Sequence, residues 1–158
     1  MTLTPWLSFK NLNSPDIYVL GFQELVELSA KQVLSTSARE RLLWEKLILR
    51  NLNRGGTVRY VLLKSEQLVG ACLCVYVKPE LIPHIANVDT SIQKTGLSGM
   101  AGNKGGVGIR FDLYDSSFCF VCAHLAAGQK NFEDRNRDYN TISDGMTFAQ
   151  GWKIQDHE

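Results

Sequence analysis

The sequence has no long run of apolar residues. No stretch of the 158-residue chain approaches the roughly 18 apolar residues that a membrane-spanning helix needs. Ser, Lys and Asn interrupt the apolar residues near the amino terminus, which is unlike a secretory signal peptide. We also find no repeat, low-complexity segment or linker, so the sequence predicts one ordinary globular domain.

The chain also lacks an excess of charge of either sign. Its 17 Lys and Arg residues oppose 16 Asp and Glu residues, which leaves a net charge of +1. A nucleic-acid-binding domain is usually clearly basic, so the composition argues against a nucleic-acid partner. The hydrophobic fraction of 44% is also too high for a typical disordered protein.

Cysteine is scarce, and its spacing does not require a metal or a disulfide. The four cysteines form two pairs, Cys72 with Cys74 and Cys119 with Cys122. The second pair is formally C-x-x-C, which allows a zinc or redox site, but FCFVCAHL has the pattern of a continuous apolar strand. We therefore expect reduced core cysteines and a cytoplasmic location.

The sequence predicts strands in hairpins, mixed with helices, rather than a regular β-α-β alternation. We expect a buried strand at 17–20, helices over 25–34 and 38–56, and two strands in 58–80 with a turn at 64–67. Further expected elements are a strand over 87–96, a hairpin over 106–125 with its turn at 114–117, and a helix over 130–146 with Phe132, Tyr139 and Ile142 facing inward. This mixture favours an antiparallel or mixed sheet covered by helices.

The stretch GMAGNKGGVGIRF, residues 99–111, surrounds one lysine with glycines. It does not fit a Walker loop, because Asn103 precedes Lys104, no Ser or Thr follows, and the next element is a strand. A glycine turn before a strand is the simplest interpretation. The alternative is an anion site, since a lysine and backbone N–H groups in a glycine-rich turn suit an anion.

Glu24 and His124 each stand just after an apolar strand. Ligands of α/β proteins often bind at the carboxyl ends of strands. A hard carboxylate with waters and a phosphate suits Mg²⁺, and a histidine there can bond a phosphoryl oxygen or transfer a proton. Taken alone, Glu24 is better explained as a helix N-terminal residue and His124 as a structural hydrogen-bonding residue. Their occurrence at two strand ends favours a shared site.

Four motifs occur in order along the chain: DIYVLGFQE, VYVKPELIPHI, TGLSGMAGNKGGVGIRF and FCFVCAHLAAGQKNFEDRNRDYNTI. Through them nearly the whole chain, from about Thr4, resembles the inositol polyphosphate 5-phosphatases of the synaptojanin or type II kind. The resemblance implies an α/β (α+β) fold, the DNase I-like endonuclease/exonuclease/phosphatase four-layer sandwich. It also implies Mg²⁺-dependent hydrolysis of the 5-phosphate of phosphatidylinositol 4,5-bisphosphate, the 3,4,5-trisphosphate or soluble inositol phosphates.

The resemblance assigns roles to four polar residues. Glu24 matches the metal-ligand glutamate, and His124 matches the histidine that contacts the scissile phosphate, so both are expected to be catalytic. Asn103 and Lys104 match residues near the 1-phosphate of the lipid, which makes them expected substrate-binding residues.

A further implied feature is contact with a membrane. Leu81, Ile82 and Ile85 match an apolar loop that touches acyl chains or the membrane surface, and Lys78 is placed to meet anionic headgroups. A loop packed on its own domain explains the same residues. The implied partner is a phosphoinositide lipid, and the implied location is cytoplasmic and peripheral at membranes.

The family pattern extends beyond both ends of this sequence. Residues 1–158 are therefore expected to be a partial catalytic domain, without the first Trp-Asn strand and without GDxNYR, whose Asp activates the attacking water. Asp156 and His157 are interpreted as part of a loop, not as the terminal Asp-His of the family. We expect the chain alone to be inactive or nearly so. The alternatives are a non-catalytic phosphoinositide-binding fragment and a nuclease of the same superfold.

Overall fold

The computed structural model describes residues 2–7, 14–26, 38–56, 58–96 and 101–157. Most of the helix predicted over 25–34 lies outside the described residues. The described elements are α1 Thr4–Leu7, β1 Ile17–Phe22, α2 Arg39–Leu52, β2 Val61–Leu68, β3 Ala71–Val77, a 3₁₀ helix Pro79–His84, β4 Ile85–Gly96, β5 Ala101–Leu113, β6 Ser116–His124, α3 Phe132–Gly145, and 3₁₀ turns Ala149–Gly151 and Ile154–Asp156. In this part of the chain, no helix is both long and apolar enough to span a bilayer.

The described strands form two antiparallel sheets of three strands each. Their orders are β1-β3-β2 and β4-β5-β6, so β3 and β5 are the central strands. Every residue of β3 is buried, as expected of a strand that is covered on both faces. Antiparallel hairpins, β2 with β3 and β5 with β6, join neighbours in sequence.

The sheets and helices stack in four layers. Helix α2 covers the outer face of the first sheet, over a core that includes Ile48 and Tyr76. The two sheets enclose a second core that includes Val107 and Phe111. Helix α3 covers the outer face of the second sheet, and Ile142 lies in the third core. This α-β-β-α order confirms the α/β four-layer sandwich that the sequence predicted.

The turn predicted at 64–67 was wrong, because β2 continues through these residues and the chain reverses at Val69 and Gly70. Ser65, one of the polar residues that suggested a turn, forms hydrogen bonds with the neighbouring helix α2. The Ser65 hydroxyl donates to Glu45 and accepts a hydrogen bond from Arg41, each at 2.6 Å. Polar side chains in β2 thus connect the first sheet to α2.

The inner stripe predicted for α3 was right at one of three positions. Ile142 is buried, but Phe132 is 59% and Tyr139 65% exposed. The helix contacts the second sheet mainly through its carboxyl-terminal half, where Ile142 and Met146 pack. Its first turns are instead tied to the preceding loop, where Arg135 donates to the Gly128 carbonyl at 2.6 Å.

The glycine-rich stretch is a strand rather than a turn, because β5 begins at Ala101. Alternate residues of β5, such as Val107, are fully buried between the sheets. Gly106 and Gly108 face the opposite way, toward α3 and the segment after it. A Cβ on Gly108 would lie 2.5 Å from Met146 Sδ, and one on Gly106 would lie 2.9 Å from Ile142 Cγ2. Glycine here allows the helix layer to approach the sheet closely.

The carboxyl-terminal segment packs near the start of β6. His157 stacks on Trp152, with ring centroids 5.5 Å apart, and its Nδ1 lies 3.0 Å from Ser117 Oγ. Ser117 and His124 stand seven residues apart on β6, which is about 23 Å at ~3.3 Å per residue. The structure therefore places His157 at the other end of the strand from His124.

Candidate functional site

Three polar side chains meet at one end of the two sheets. Lys104 Nζ lies 2.7 Å from His124 Nε2, and Glu24 Oε1 lies 3.7 Å from the same nitrogen. The residues come from the start of β5, the end of β6 and the turn after β1. The structure thus brings Glu24 and His124 together, and it adds Lys104 to them. We call these three residues the phosphate cluster.

The turn after β1 fixes the position of Glu24. Its φ of 55° is unusual for a residue other than glycine. Hydrogen bonds hold the residues on both sides: Gln23 Nε2 donates to the Ala123 carbonyl at 2.7 Å, and Leu25 N donates to the Gly70 carbonyl at 3.0 Å. The first bond ties the end of β1 to the end of β6, and the second ties it to the turn between β2 and β3. Between these two bonds, Glu24 faces His124.

His124 is only 6% exposed. Burial and the Lys104 ammonium lower the pKa of His124, while the Glu24 carboxylate acts in the opposite direction. The imidazole is therefore neutral at pH 7, and its Nε2 accepts the hydrogen bond from Lys104. This assigns the proton to Nδ1. Nδ1 is buried and has no hydrogen-bond partner among the described residues.

Strand pairing explains why Lys104 reaches His124. Gly105 stands opposite His124 in the ladder between β5 and β6, so Lys104 lies one residue from the pair. Gly105 has a φ of 145°, and a Cβ on it would lie 2.8 Å from Leu68 Cδ2 and closer still to the Gln93 carbonyl oxygen. Glycine at position 105 is therefore what allows this register and this contact.

A cleft of about 620 Å³ opens beside Lys104. Its size lies within the usual range of small-ligand sites. The walls are the end of β4, the start of β5 and the first half of α3, and they include Gln93, Lys94, Asn103, Lys104, Asp134 and Arg137. Asn103 Oδ1 is buried without a partner among the described residues. Arg137 is paired with Asp134.

Sequence reasoning missed Lys94 and Arg137 as candidate residues. Both belong to polar stretches that look like ordinary solvated surface, and no spacing in the sequence connects them with Lys104. They reach the cleft only because β4 pairs with β5 and α3 packs on the same sheet.

The apolar loop that includes Leu81, Ile82 and Ile85 lies at the other end of the sheets. Leu81 and Ile85 are half-buried against the core between the sheets, and Ile82 is 42% exposed. Ile85 pairs with Leu113 at the far end of β5, eight residues from Gly105, or about 27 Å along the strand. The loop therefore lies far along the strands from the phosphate cluster, and its contact with acyl chains or a membrane stays a prediction.

Lys78, expected to meet anionic headgroups, has partners within the protein. Its ammonium lies 2.6 Å from the Asp16 carboxylate and donates to the Ser14 carbonyl at 3.0 Å. These contacts direct its charge toward the segment before β1 rather than toward solvent.

Glu24 is the residue of the phosphate cluster that suits a metal cation. Its side chain is 70% exposed, so it can bind an ion that keeps most of its water. Among the residues that the structure describes, no three His, Cys, Asp or Glu side chains are arranged to hold a metal. Mg²⁺ is commonly held by one or two carboxylates, waters and substrate phosphates. One exposed carboxylate, with room for waters and further oxygen ligands, fits such an ion.

The fold and the cluster together define a four-layer α/β protein whose strand ends bring together a carboxylate, an imidazole and an ammonium. The chain belongs to the Endonuclease/Exonuclease/phosphatase family 2, which matches residues 1–158. It is 45% identical to Inositol-1,4,5-trisphosphate 5-phosphatase 1 of Schizosaccharomyces pombe over 99% of this chain and 15% of that protein. It is 43% identical to human Synaptojanin-2 over 90% of this chain and 9% of that protein.

The structure also resembles a solved domain. This is the inositol polyphosphate 5-phosphatase domain of SPsynaptojanin, in complex with inositol (1,4)-bisphosphate and a calcium ion. The TM-score is 0.88 at 43% identity, over 98% of this chain and 44% of that one. These similarities confirm the predicted resemblance to inositol polyphosphate 5-phosphatases and the DNase I-like fold. The chain spans less than half of the solved domain and a much smaller share of the curated relatives.

Proposed function

We propose that the chain forms part of the active site of an inositol polyphosphate 5-phosphatase. The reaction is Mg²⁺-dependent hydrolysis of the 5-phosphate of phosphatidylinositol 4,5-bisphosphate or a related inositol phosphate. The observation that carries the proposal is the phosphate cluster, in which the side chains of Glu24 and Lys104 lie within 3.7 Å of the Nε2 nitrogen of His124. Homology to 5-phosphatases supports the choice of substrate.

Each residue has a role that its chemistry supports. Glu24 supplies a carboxylate to the cation, and bound Mg²⁺ neutralises charge on phosphoryl oxygens. His124 is neutral and held in a fixed position. Once Lys104 no longer donates to Nε2, the tautomer with the proton on Nε2 donates a hydrogen bond to the phosphate. The cleft accepts the inositol ring, where Asn103 Oδ1 accepts a hydrogen bond from a ring hydroxyl. Lys104 supplies positive charge to a substrate phosphate.

A second function, binding without turnover, is favoured by the composition of the cluster. Glu24 is the one carboxylate within 4 Å of His124 among the described residues, and hydrolysis also needs a group that activates water. We therefore propose that rapid turnover requires groups outside these 158 residues. Binding of the inositol phosphate does not.

Phosphate release separates these functions. We expect the purified chain to bind inositol 1,4,5-trisphosphate, and to release its 5-phosphate about 10²- to 10⁴-fold more slowly than the solved SPsynaptojanin domain with Mg²⁺. Calorimetry measures binding, and chromatography of the inositol products measures release. Glu24→Gln, at an exposed position, should remove the Mg²⁺ dependence without unfolding the chain. Release at the rate of the solved domain would contradict the proposal that rapid turnover requires groups outside these 158 residues. Nicking of plasmid DNA without inositol phosphate binding would favour the nuclease alternative.

We also propose peripheral contact with phosphoinositide membranes, made from the cluster end of the molecule. Binding to vesicles that contain phosphatidylinositol 4,5-bisphosphate should therefore depend on the phosphate cluster and not on Ile82. In sedimentation assays Lys104→Met should reduce the bound fraction, and Ile82→Asp should leave it unchanged. Loss of binding in Ile82→Asp alone would show that the apolar loop is the membrane contact.

A further inference from the structure

Glu24 and His124 stand at the ends of strands that belong to different sheets. β1, before Glu24, is an edge strand of the first described sheet, and β6, which ends at His124, is an edge strand of the second. In the described part of the chain, no backbone ladder therefore joins β1 with β6. The contact of the two side chains at 3.7 Å is not an ion pair either, because burial lowers the pKa of His124 and keeps the imidazole neutral. Other groups must hold the Glu24 carboxylate in place.

The Gln23 side chain crosses from one sheet to the other beside both residues. Its Nε2 donates to the Ala123 carbonyl at 2.7 Å. Gln23 directly precedes Glu24, and Ala123 directly precedes His124. The Ala123 carbonyl therefore belongs to the peptide group that also contains the backbone nitrogen of His124. This single hydrogen bond connects the residue before the carboxylate with the peptide group of the imidazole.

The other contacts near the end of β1 are weaker or do not reach β6. The Cys122 thiol lies 3.4 Å from the Phe22 carbonyl oxygen, and a thiol is a weak donor. Leu25 N donates to the Gly70 carbonyl at 3.0 Å, in the turn between β2 and β3. The Glu24 side chain is itself 70% exposed. The Gln23 amide is thus the strongest hydrogen-bond donor that links the end of β1 with the end of β6 among these contacts.

We propose that Gln23 is a positioning residue, which keeps the Glu24 carboxylate beside His124 and so sets the affinity of the site for a divalent cation. This inference rests on the proposed function, in which Glu24 supplies a carboxylate to Mg²⁺, and deepens it. Gln23 acts through Glu24 and does not bind the ion. Outer residues that orient a metal ligand commonly change metal affinity about 10- to 100-fold, whereas one exposed hydrogen bond contributes little to stability.

The test measures how binding of inositol 1,4,5-trisphosphate to the purified chain depends on Mg²⁺. Calorimetry at a series of Mg²⁺ concentrations gives the half-point, the concentration at which half of the gain in affinity is reached. Gln23→Met keeps the length of the side chain and removes the donor. We expect it to raise the half-point about 10-fold, and to change the affinity measured without Mg²⁺ less than about twofold.

Gln155→Met is the matched control. Gln155 Nε2 donates to the Ser143 carbonyl at 3.0 Å, so this variant loses the same kind of exposed bond, between the carboxyl-terminal segment and α3. Its half-point should equal that of the wild type. Thermal unfolding of each variant checks the fold, and the unfolding midpoint of Gln23→Met should stay close to that of the wild type.

A double variant tests whether Gln23 acts through Glu24. Glu24→Gln alone is expected to remove the Mg²⁺ dependence of binding. If Gln23 only positions this carboxylate, adding Gln23→Met to Glu24→Gln should cause no further loss of affinity for the trisphosphate.

The outcomes separate this inference from the proposed function. An unchanged half-point in Gln23→Met would overturn the inference and leave the proposed function standing. An equal loss of affinity with and without Mg²⁺, or a further loss in the double variant, would show that the bond only supports the fold, which also overturns the inference. If binding to the wild type does not depend on Mg²⁺, the proposed function fails first, and the inference fails with it.

Discussion

Replacing Gly105 with alanine is expected to lower the free energy of unfolding by about 3–5 kcal/mol. Two costs combine at this position. The φ of 145° lies in a region that side chains rarely adopt. A Cβ would also overlap the Gln93 carbonyl oxygen and lie 2.8 Å from Leu68 Cδ2. The Gln93 carbonyl is part of the backbone of β4, so it cannot move without disturbing the pairing of β4 with β5. Urea unfolding followed by circular dichroism measures the change.

Gly56→Ala is the control for the backbone conformation alone. Gly56 also has a positive φ, of 71°, but a Cβ there meets nothing within 4 Å. Its replacement should cost only about 1–2 kcal/mol, the penalty of a left-handed conformation. If the Gly105→Ala variant is no less stable than the Gly56→Ala variant, the close approach of β4 to β5 at Gly105 does not exclude a side chain there.

The pattern of β5 shows what could be predicted from the sequence and what could not. The alternation of Val107, Ile109 and Phe111 with other residues indicates a strand, and the hairpin that follows was located correctly. The glycines up to Gly105 were interpreted as a turn before that strand, because glycine most often marks turns, whereas β5 already begins at Ala101. The role of Gly106 and Gly108 within the strand depends on α3 and on the residues just after it, more than 20 residues later, which pack on these two glycines. A contact of this kind leaves no local signal.

The phosphate cluster, too, could be predicted from the sequence only in part. Glu24 and His124 could be proposed as neighbours, since each follows an apolar strand and strand ends gather at sheet edges. The contact of Lys104 with His124 could not, because it depends on the register that sets Gly105 opposite His124. A shift of the β5–β6 pairing by one residue would turn Lys104 away. The register is fixed by packing on both faces of β5, which a single sequence does not display.

His124→Ala is expected to reduce turnover by about 10²- to 10⁴-fold with little loss of stability. The imidazole is the group that both other members of the cluster approach, at 2.7 and 3.7 Å, so its removal leaves the phosphate without a fixed hydrogen-bonding partner. A chimeric domain, in which this chain replaces the matching segment of the solved SPsynaptojanin domain, provides a measurable rate. The loss should appear in kcat more than in KM, because the contact is to the reacting phosphate.

His84→Ala is the matched control for this prediction. His84 is exposed and stacks on Tyr114, with ring centroids 4.6 Å apart, at the end of β5 far from the phosphate cluster. Its replacement should leave kcat unchanged. Because Lys104 and His124 are in contact at 2.7 Å, the double variant His124→Ala with Lys104→Met should lose less than the product of the two single losses. A normal kcat in His124→Ala would show that the imidazole does not take part in the reaction. Strictly multiplicative losses in kcat would show that His124 and Lys104 act independently.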